Sequence, residues 1–193
     1  MQLGILAPAN SPIATPEFVT ALGVGVEERG FHSVWAPEHV VLFDDYASKY
    51  PYTPDGRIGG GPEMGPLEPF VSLSFLAAAT KRVRLGTGVL LVPQRNPVYT
   101  AKSVASLDWL SGGRVDLGVG VGWLREEFAA LSVPWERRGD RTRSYVNVLR
   151  TLRRDDVSTA GGQRREKRRG QAGFRMRRDF RAGAGRRAGC GPR

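Results

Sequence analysis

The sequence predicts an α/β fold built on a parallel sheet. Short runs rich in β-formers alternate with stretches whose apolar residues recur at helical spacing, in the order βαβαβαβα. The connections are short, except after the second strand, which suits a parallel sheet with helices packed on it. The segment carrying this pattern is also electroneutral. Residues 161–193 hold 12 Lys+Arg and 2 Asp+Glu, which accounts for the whole net charge of +10 and leaves 17 basic and 17 acidic groups in the first 160 residues. The basic character belongs to the tail and says nothing about a nucleic-acid surface on the domain.

"QLGIL" (2–6) reads as the first strand, a short apolar run. Thr15 offers an N-cap, Pro16 suits the first helical position, and Glu17 lies in the first turn. Phe18, Ala21 and Leu22 then fall at i, i+3, i+4. Gly23 and Gly25 weaken this helix, each by roughly 1 kcal/mol relative to Ala. Gly30 closes it at the C′ position. "FHSVWA" (31–36) is the second strand. A loop of Gly, Pro, Asp and Tyr runs from Leu42 to Pro66, and structureless loops of that length are usually functional or disordered.

Phe70, Leu73 and Ala77 mark the second helix, closed by Lys81 and Arg82, whose charge suits a helix C-terminus. "VRLGTGVLLV" (83–92) is the third strand, bounded by Pro93. Pro97 opens a third helix with an apolar stripe of Val98, Ala101, Ala105 and Trp109, and "SGG" (111–113) ends it. In "RVDLGVGVGW", Val115, Leu117, Val119 and Val121 alternate with Asp116, Gly118, Gly120 and Gly122, the period of a strand. A short helical piece follows around Arg125–Leu131. The last helix runs from about Asp140, with Tyr145, Val148, Leu149 and Leu152 at i, i+3, i+4, i+7. Two architectures fit this order: an open doubly wound sheet, or a piece of a (β/α)8 barrel. "APANSP" stands where a GxGxxG would follow the first strand, so a dinucleotide-binding sheet of the usual kind is disfavoured.

Composition narrows the chemistry. Cys190 is the single cysteine and lies in the tail, and the histidines are His32 and His39. No disulfide framework or Cys/His zinc cluster can be assembled from these, so no metal site is expected. "MQLGILAPAN" lacks the basic region of a signal peptide, and no run approaches the ~20 apolar residues of a membrane span. The expectation is a soluble cytoplasmic protein. Residues 161–193 contain no Leu, Ile or Val and eight glycines, which predicts disorder. The expected division is a domain over 1–157 and an Arg/Gly-rich tail over 158–193. "RREKRRGQAGFRMRR" could bind nucleic acid through phosphates, but two Phe are thin for base stacking, and an unselected solvated tail is the preferred reading.

The candidate site begins with Glu38 and His39 in "SVWAPEHV". Ionisable groups do not sit unpartnered inside a buried strand, so the strand should stop near Pro37 with the pair at its mouth. C-terminal strand ends face the ligand site in parallel α/β folds, and an imidazole there can give or take a proton near neutral pH. Glu38 could orient it, although adjacent residues on extended backbone point to opposite faces. The alternative is an inert, hydrogen-bonded loop histidine. "GTGVLLVP" (86–93) and "GVGVGW" (118–123) are both glycine-interrupted. Such glycines mark bulges or close approach to the backbone. Two in neighbouring strands favour a shared ligand platform over simple crowding. The absence of Lys-Ser/Thr excludes a phosphate P-loop.

Three stretches, "RGFHSVWAPEHV", "RVRLGTGVLLVPQRNPVYTAKSVASLDWLSGGRVDLGVGVGWLREEF" and "RGDRTRSYVNVLRTL", resemble the luciferase-like monooxygenase superfamily. The similarity is greater to its oxidoreductases that use the deazaflavin coenzyme F420, and it spans residues 1 to about 157. It implies the N-terminal half of a luciferase-like TIM (β/α)8 barrel, four parallel strands with helices, plus a disordered basic tail. It implies coenzyme F420, or alternatively FMN, in the barrel mouth, and hydride transfer or monooxygenation of a small organic substrate. By the resemblance, His39 is the catalytic acid/base or hydrogen-bond partner near the ring. Thr87, Gly88 and Val89 match a third-strand bulge with a non-prolyl cis peptide, here Gly88–Val89. Gly120, Gly122 and Trp123 match the lining of the cofactor, and Glu38, next to His39, is a further cofactor-binding candidate. Trp123 stands where the sugar-phosphate dehydrogenases of the superfamily carry a catalytic carboxylate, which argues against that substrate class. The tail's composition is what a shifted reading frame in a GC-rich coding sequence yields. Four strands do not close a barrel, so impaired activity and self-association are the expectations. The alternative from another class is a non-catalytic half-barrel that dimerises or binds nucleic acid through its tail.

Overall fold

A computed structural model describes residues 1–154. The predicted domain boundary at 157 and the predicted disordered tail, 158–193, lie outside the described residues. Four strands alternate with helices as the sequence predicts. They are β1 (Gly4–Leu6), β2 (Ser33–Ala36), β3 (Arg84–Leu91) and β4 (Val115–Gly120). The helices are α1 (Pro16–Glu28), α2 (Pro69–Ala79), α3 (Pro97–Ser111), α4 (Arg125–Ala130) and α5 (Arg138–Arg154). The sheet runs in the order β1-β2-β3-β4, and each neighbouring pair is parallel. All four strands therefore present their C-terminal ends along one edge. Among the described residues no helix is long and apolar enough to cross a membrane.

The ends of the elements follow local chemistry. The Thr15 hydroxyl accepts the Phe18 N–H at 3.2 Å, and Pro16 opens α1. Gly30, with φ +74°, takes the left-handed conformation that stops the chain after α1. Asn96 caps α3 by accepting from the Val98 and Tyr99 N–H groups at 3.0 and 3.2 Å. α3 stops at Gly112, which is also left-handed. The 42–66 loop is built rather than structureless. It includes a 3-10 turn at Pro62–Met64 and is tied to the segment after β1 by an isolated antiparallel bridge between Asn10 and Pro66.

One face of the sheet is covered by helices. Val34, Ala36, Leu85 and Leu90 pack there against Val26, Leu73, Leu76 and Leu107, all buried. Each of the Val and Leu side chains stabilises the fold by about 1.5–3 kcal/mol relative to exposure. α5 adds Val148, Leu149 and Leu152 in a smaller cluster with Ala101, as its spacing predicts. The predicted stripe on α3 is corrected. Val98 and Trp109 are exposed, and the buried face carries Thr100, Ala101, Leu107, Asp108 and Ser111. Asp108 belongs inside because its carboxylate accepts the Val115 N–H at 3.3 Å, tying the helix to the start of β4. A polar residue with a tertiary partner has here displaced the apolar one that periodicity favours.

The opposite face carries Gly4, Leu6, Trp35, Gly86 and Gly88. The Trp35 indole lies across Gly86 and donates to the Ser33 hydroxyl at 2.9 Å. Arg84 and Asp116 pair on this face near the N-terminal ends of β3 and β4, at 2.6 Å.

Candidate active site

The parallel strands bring the ends of β2, β3 and β4 to one edge, and His39 stands there, three residues after β2. Its side chain is 11% exposed. The Trp123 indole N–H, three residues beyond β4, donates to His39 Nε2 at 3.4 Å, with the two rings edge-on. On the other side, His39 Nδ1 lies 3.4 Å from Oε1 of Glu127 in α4. The imidazole is thus held between a carboxylate and an indole, both more than eighty residues away in sequence.

Glu127 is fully buried and receives donors from several directions. Its Oε1 accepts the Val40 N–H at 2.6 Å and the Val41 N–H at 3.3 Å, and its Oε2 accepts from the Gln94 amide at 2.9 Å. Burial pushes its carboxyl up, but the His39 and Gln94 contacts and the Val40 N–H together outweigh this and hold it below the ordinary carboxylate range. Glu127 therefore stays ionised beside the imidazole. Its neighbour Glu126 grips the next part of the same loop, accepting the Ala47 and Ser48 N–H groups at 2.8 and 3.2 Å and the Ser48 hydroxyl at 2.7 Å. The Ser48 hydroxyl in turn accepts the Arg125 N–H at 3.1 Å, a cap for α4 supplied from the loop. The Tyr46 and Tyr50 rings meet Trp123 edge-on, with centroids 5.6 and 5.1 Å away. Aromatic residues of the 42–66 loop thus surround the group that touches His39.

Glu38 does not orient His39. It is 5% exposed and turned the other way, where it accepts from the Leu91 N–H and pairs with Arg95. Arg95 also bonds Glu68 at 2.7 Å, the residue that caps α2. Burial raises the Glu38 carboxyl above its ordinary range despite the opposing Arg95. On Arg95, burial works downward, and the bonds it donates to Glu38 and Glu68 carry its affinity for a proton above the usual value. Glu38 joins β2, β3 and α2 and is part of the frame under the site.

The β3–β4 register shifts between Thr87 and Leu90, so a bulge stands where the sequence places one. The Gly88–Val89 peptide is cis, as the resemblance implies. The Thr87 hydroxyl donates to the Gly118 carbonyl at 2.7 Å, which pins the bulge to β4. The chain's own packing also requires glycine at these positions. A Cβ at Gly86 would lie 2.3 Å from the Trp35 ring, and one at Gly118 would lie 2.2 Å from the Thr87 carbonyl oxygen. Val89 fills the space at Gly120, and Phe128 fills that at Gly122. Crowding by the chain's own atoms accounts for all four. What remains open at the mouth is apolar side chain, with Leu6 59% and Val89 42% exposed. Gly88 lies beside Leu6, with its Cβ position 3.7 Å from a Leu6 methyl.

Sequence reasoning missed Glu127, Glu126, Gln94 and Arg95. The paired carboxylates opening a short helix, "REEF", were the one local signal available for the first two. A cavity of about 360 Å³ lies at the opposite end of the strands, lined by residues including His32, Glu27 and Arg82. There Glu27 accepts the backbone N–H groups of Lys81, Arg82 and Val83, the role of a turn clamp. Among the described residues no group of three His, Cys, Asp or Glu could hold a metal ion.

The comparisons with known proteins agree with this architecture. A family model described as luciferase-like monooxygenase matches residues 1–187. An uncharacterized protein of Mycobacterium tuberculosis is 36% identical over 152 residues, covering 79% of this chain and 53% of its own length. The oxygenase component of the flavin-dependent trigonelline monooxygenase of Acinetobacter baylyi is 29% identical over 139 residues, covering 70% of this chain and 33% of that protein. The solved structure of an F420-dependent secondary alcohol dehydrogenase in complex with an F420–acetone adduct shares the fold. It has a TM-score of 0.63 and 24% identity, covering 83% of this chain and 44% of that one. The chain spans about half the length of the curated relatives it matches, or less.

Proposed function

The chain belongs to the luciferase-like monooxygenase family, and we propose on that premise that it carries the proton-handling side of a redox site. The family holds flavin- and F420-dependent monooxygenases and oxidoreductases. The proposed cofactor is coenzyme F420, with FMN as the alternative, and the proposed reaction is hydride transfer to or from a small organic substrate, or its monooxygenation. The observation that carries this reading is the Glu127–His39–Trp123 string at the shared edge of the strands.

The residues present fit a flat ring. Leu6 and Val89 leave exposed apolar surface on the face that also carries Trp35, and a tricyclic ring would cover it. Thr87, Gly88 and Val89 would back the ring through the bulge, and Gly120, Gly122 and Trp123 would flank it. When bound, the ring supplies the two-electron chemistry. His39 takes the accompanying proton at Nε2, the nitrogen that faces Trp123. Glu127 keeps a negative charge behind it, at Nδ1. Tyr46, Tyr50 and Trp123 exclude water from the imidazole and shape the space a substrate would enter.

The test is a fluorescence titration of the chain with F420 and with FMN. Saturable quenching by F420, removed by Val89→Asp, is the expected result. Val89 is exposed enough for that substitution to leave the core intact. Quenching by neither compound up to the millimolar range would overturn the reading. Saturation by FMN alone would reassign the cofactor.

A further inference from the structure

We propose that Glu127 is a positioning residue for His39, which it holds with the proton on Nδ1 and the lone pair of Nε2 directed at Trp123. The two contacts select the same tautomer independently. His39 Nδ1 is buried and has no hydrogen-bond partner of good alignment; the group within reach is the Glu127 carboxylate at 3.4 Å. An imidazole lone pair facing an ionised carboxylate would be repelled, so Nδ1 carries hydrogen. Nε2 faces the Trp123 N–H, a group that only donates, so Nε2 must accept. The carboxylate itself is fixed by Val40, Val41 and Gln94, so it cannot turn away. Trp123 in this arrangement occupies the nitrogen that a reacting group would use. Productive contact with His39 Nε2 thus requires displacement of the Trp123 indole, while Glu127 keeps the ring oriented throughout.

The functional meaning of this inference rests on the proposed role of His39, but its test needs no cofactor. The chain has two histidines, so a protein labelled with 15N in the imidazole rings gives two sets of ring resonances, and His32 serves as the internal reference. The expected wild-type spectrum shows His39 with a protonated Nδ1 and an unprotonated Nε2 at neutral pH. His39 found with its proton on Nε2 would overturn the proposal, whatever the cofactor titration shows. Glu127→Gln is the second measurement. Its amide oxygen can still face Nδ1, and its amide nitrogen can face Gln94, whose Oε1 is buried without a partner and can turn toward it. The fold and the tautomer should therefore survive, while the Nδ1 proton resonance moves upfield as the charged acceptor becomes a neutral one. An unmoved Nδ1 resonance in Glu127→Gln would show that the carboxylate does not hold His39 and would equally sink the idea.

Discussion

Replacing Arg95 with Met should destabilise the chain by about 3–5 kcal/mol at neutral pH, the usual cost of stranding one member of a buried ion pair. The Met side chain retains contact with Phe70, over which the guanidinium now lies at 5.2 Å. What is lost is the charge opposite Glu38, a carboxylate 5% exposed, with the Leu91 N–H as its other partner. The pH dependence has a definite sign. Burial raises the Glu38 carboxyl in the folded chain, so the folded state binds its proton more tightly than the unfolded state does. Stability from this group falls as pH rises from the ordinary carboxylate value through the raised one. Removing Arg95 deletes the contacts that oppose the rise and extends that window upward. The deficit of Arg95→Met should therefore shrink as pH falls from 7 towards 5, and Glu38→Gln added to it should recover part of the loss at pH 7. Urea unfolding at several pH values measures both. A deficit independent of pH would show that Glu38 is not the stranded group.

Gly118→Ala is the second large effect. Its new methyl would lie 2.2 Å from the Thr87 carbonyl oxygen, a backbone atom that no rotamer change can move. β3 and β4 must separate locally, at a cost of at least the roughly 1–3 kcal/mol typical of overpacking. The Thr87 hydroxyl bond to the Gly118 carbonyl strains with them. Gly139→Ala is the control: beyond its chain neighbours and the backbone of its own helix, no atom lies within 4 Å of its added methyl, and it sits in the first turn of α5. There the smaller entropy of the unfolded chain should stabilise by about 0.4–1 kcal/mol. Thermal unfolding of the two variants should move in opposite directions. Equal shifts would mean that the β3–β4 contact is looser than described.

Much of the fold was legible because its signals are local. Thr15–Pro16, Gly30, Pro97 and "SGG" mark helix ends through cap chemistry that acts within a few residues, and each stands at or beside the end of a helix. The period of β4 and the spacing of Val148, Leu149 and Leu152 are equally local. Legibility failed where a partner arrives from elsewhere. Asp108 turns inward for an N–H of the next strand, so the apolar stripe of α3 misleads. Gly86 looks like room for a ligand until Trp35, from the adjacent strand, is seen to lie on it. The site divided the same way. His39 was readable from its place after a strand, and Trp123 through resemblance. Glu127 was not, because nothing near it in sequence reveals that Val40, Val41 and His39 converge on its carboxylate.

The grip of α4 on the loop after β2 has a consequence for motion. Amides of Val40, Val41, Ala47 and Ser48 are held by two carboxylates of one helix, and that helix borrows its first-turn cap from Ser48. Neither piece can open to solvent without releasing the other. Hydrogen exchange in a stretch lacking regular secondary structure should then be governed by the unfolding of a helix 78 to 87 residues downstream, and the two should behave as a single cooperative unit.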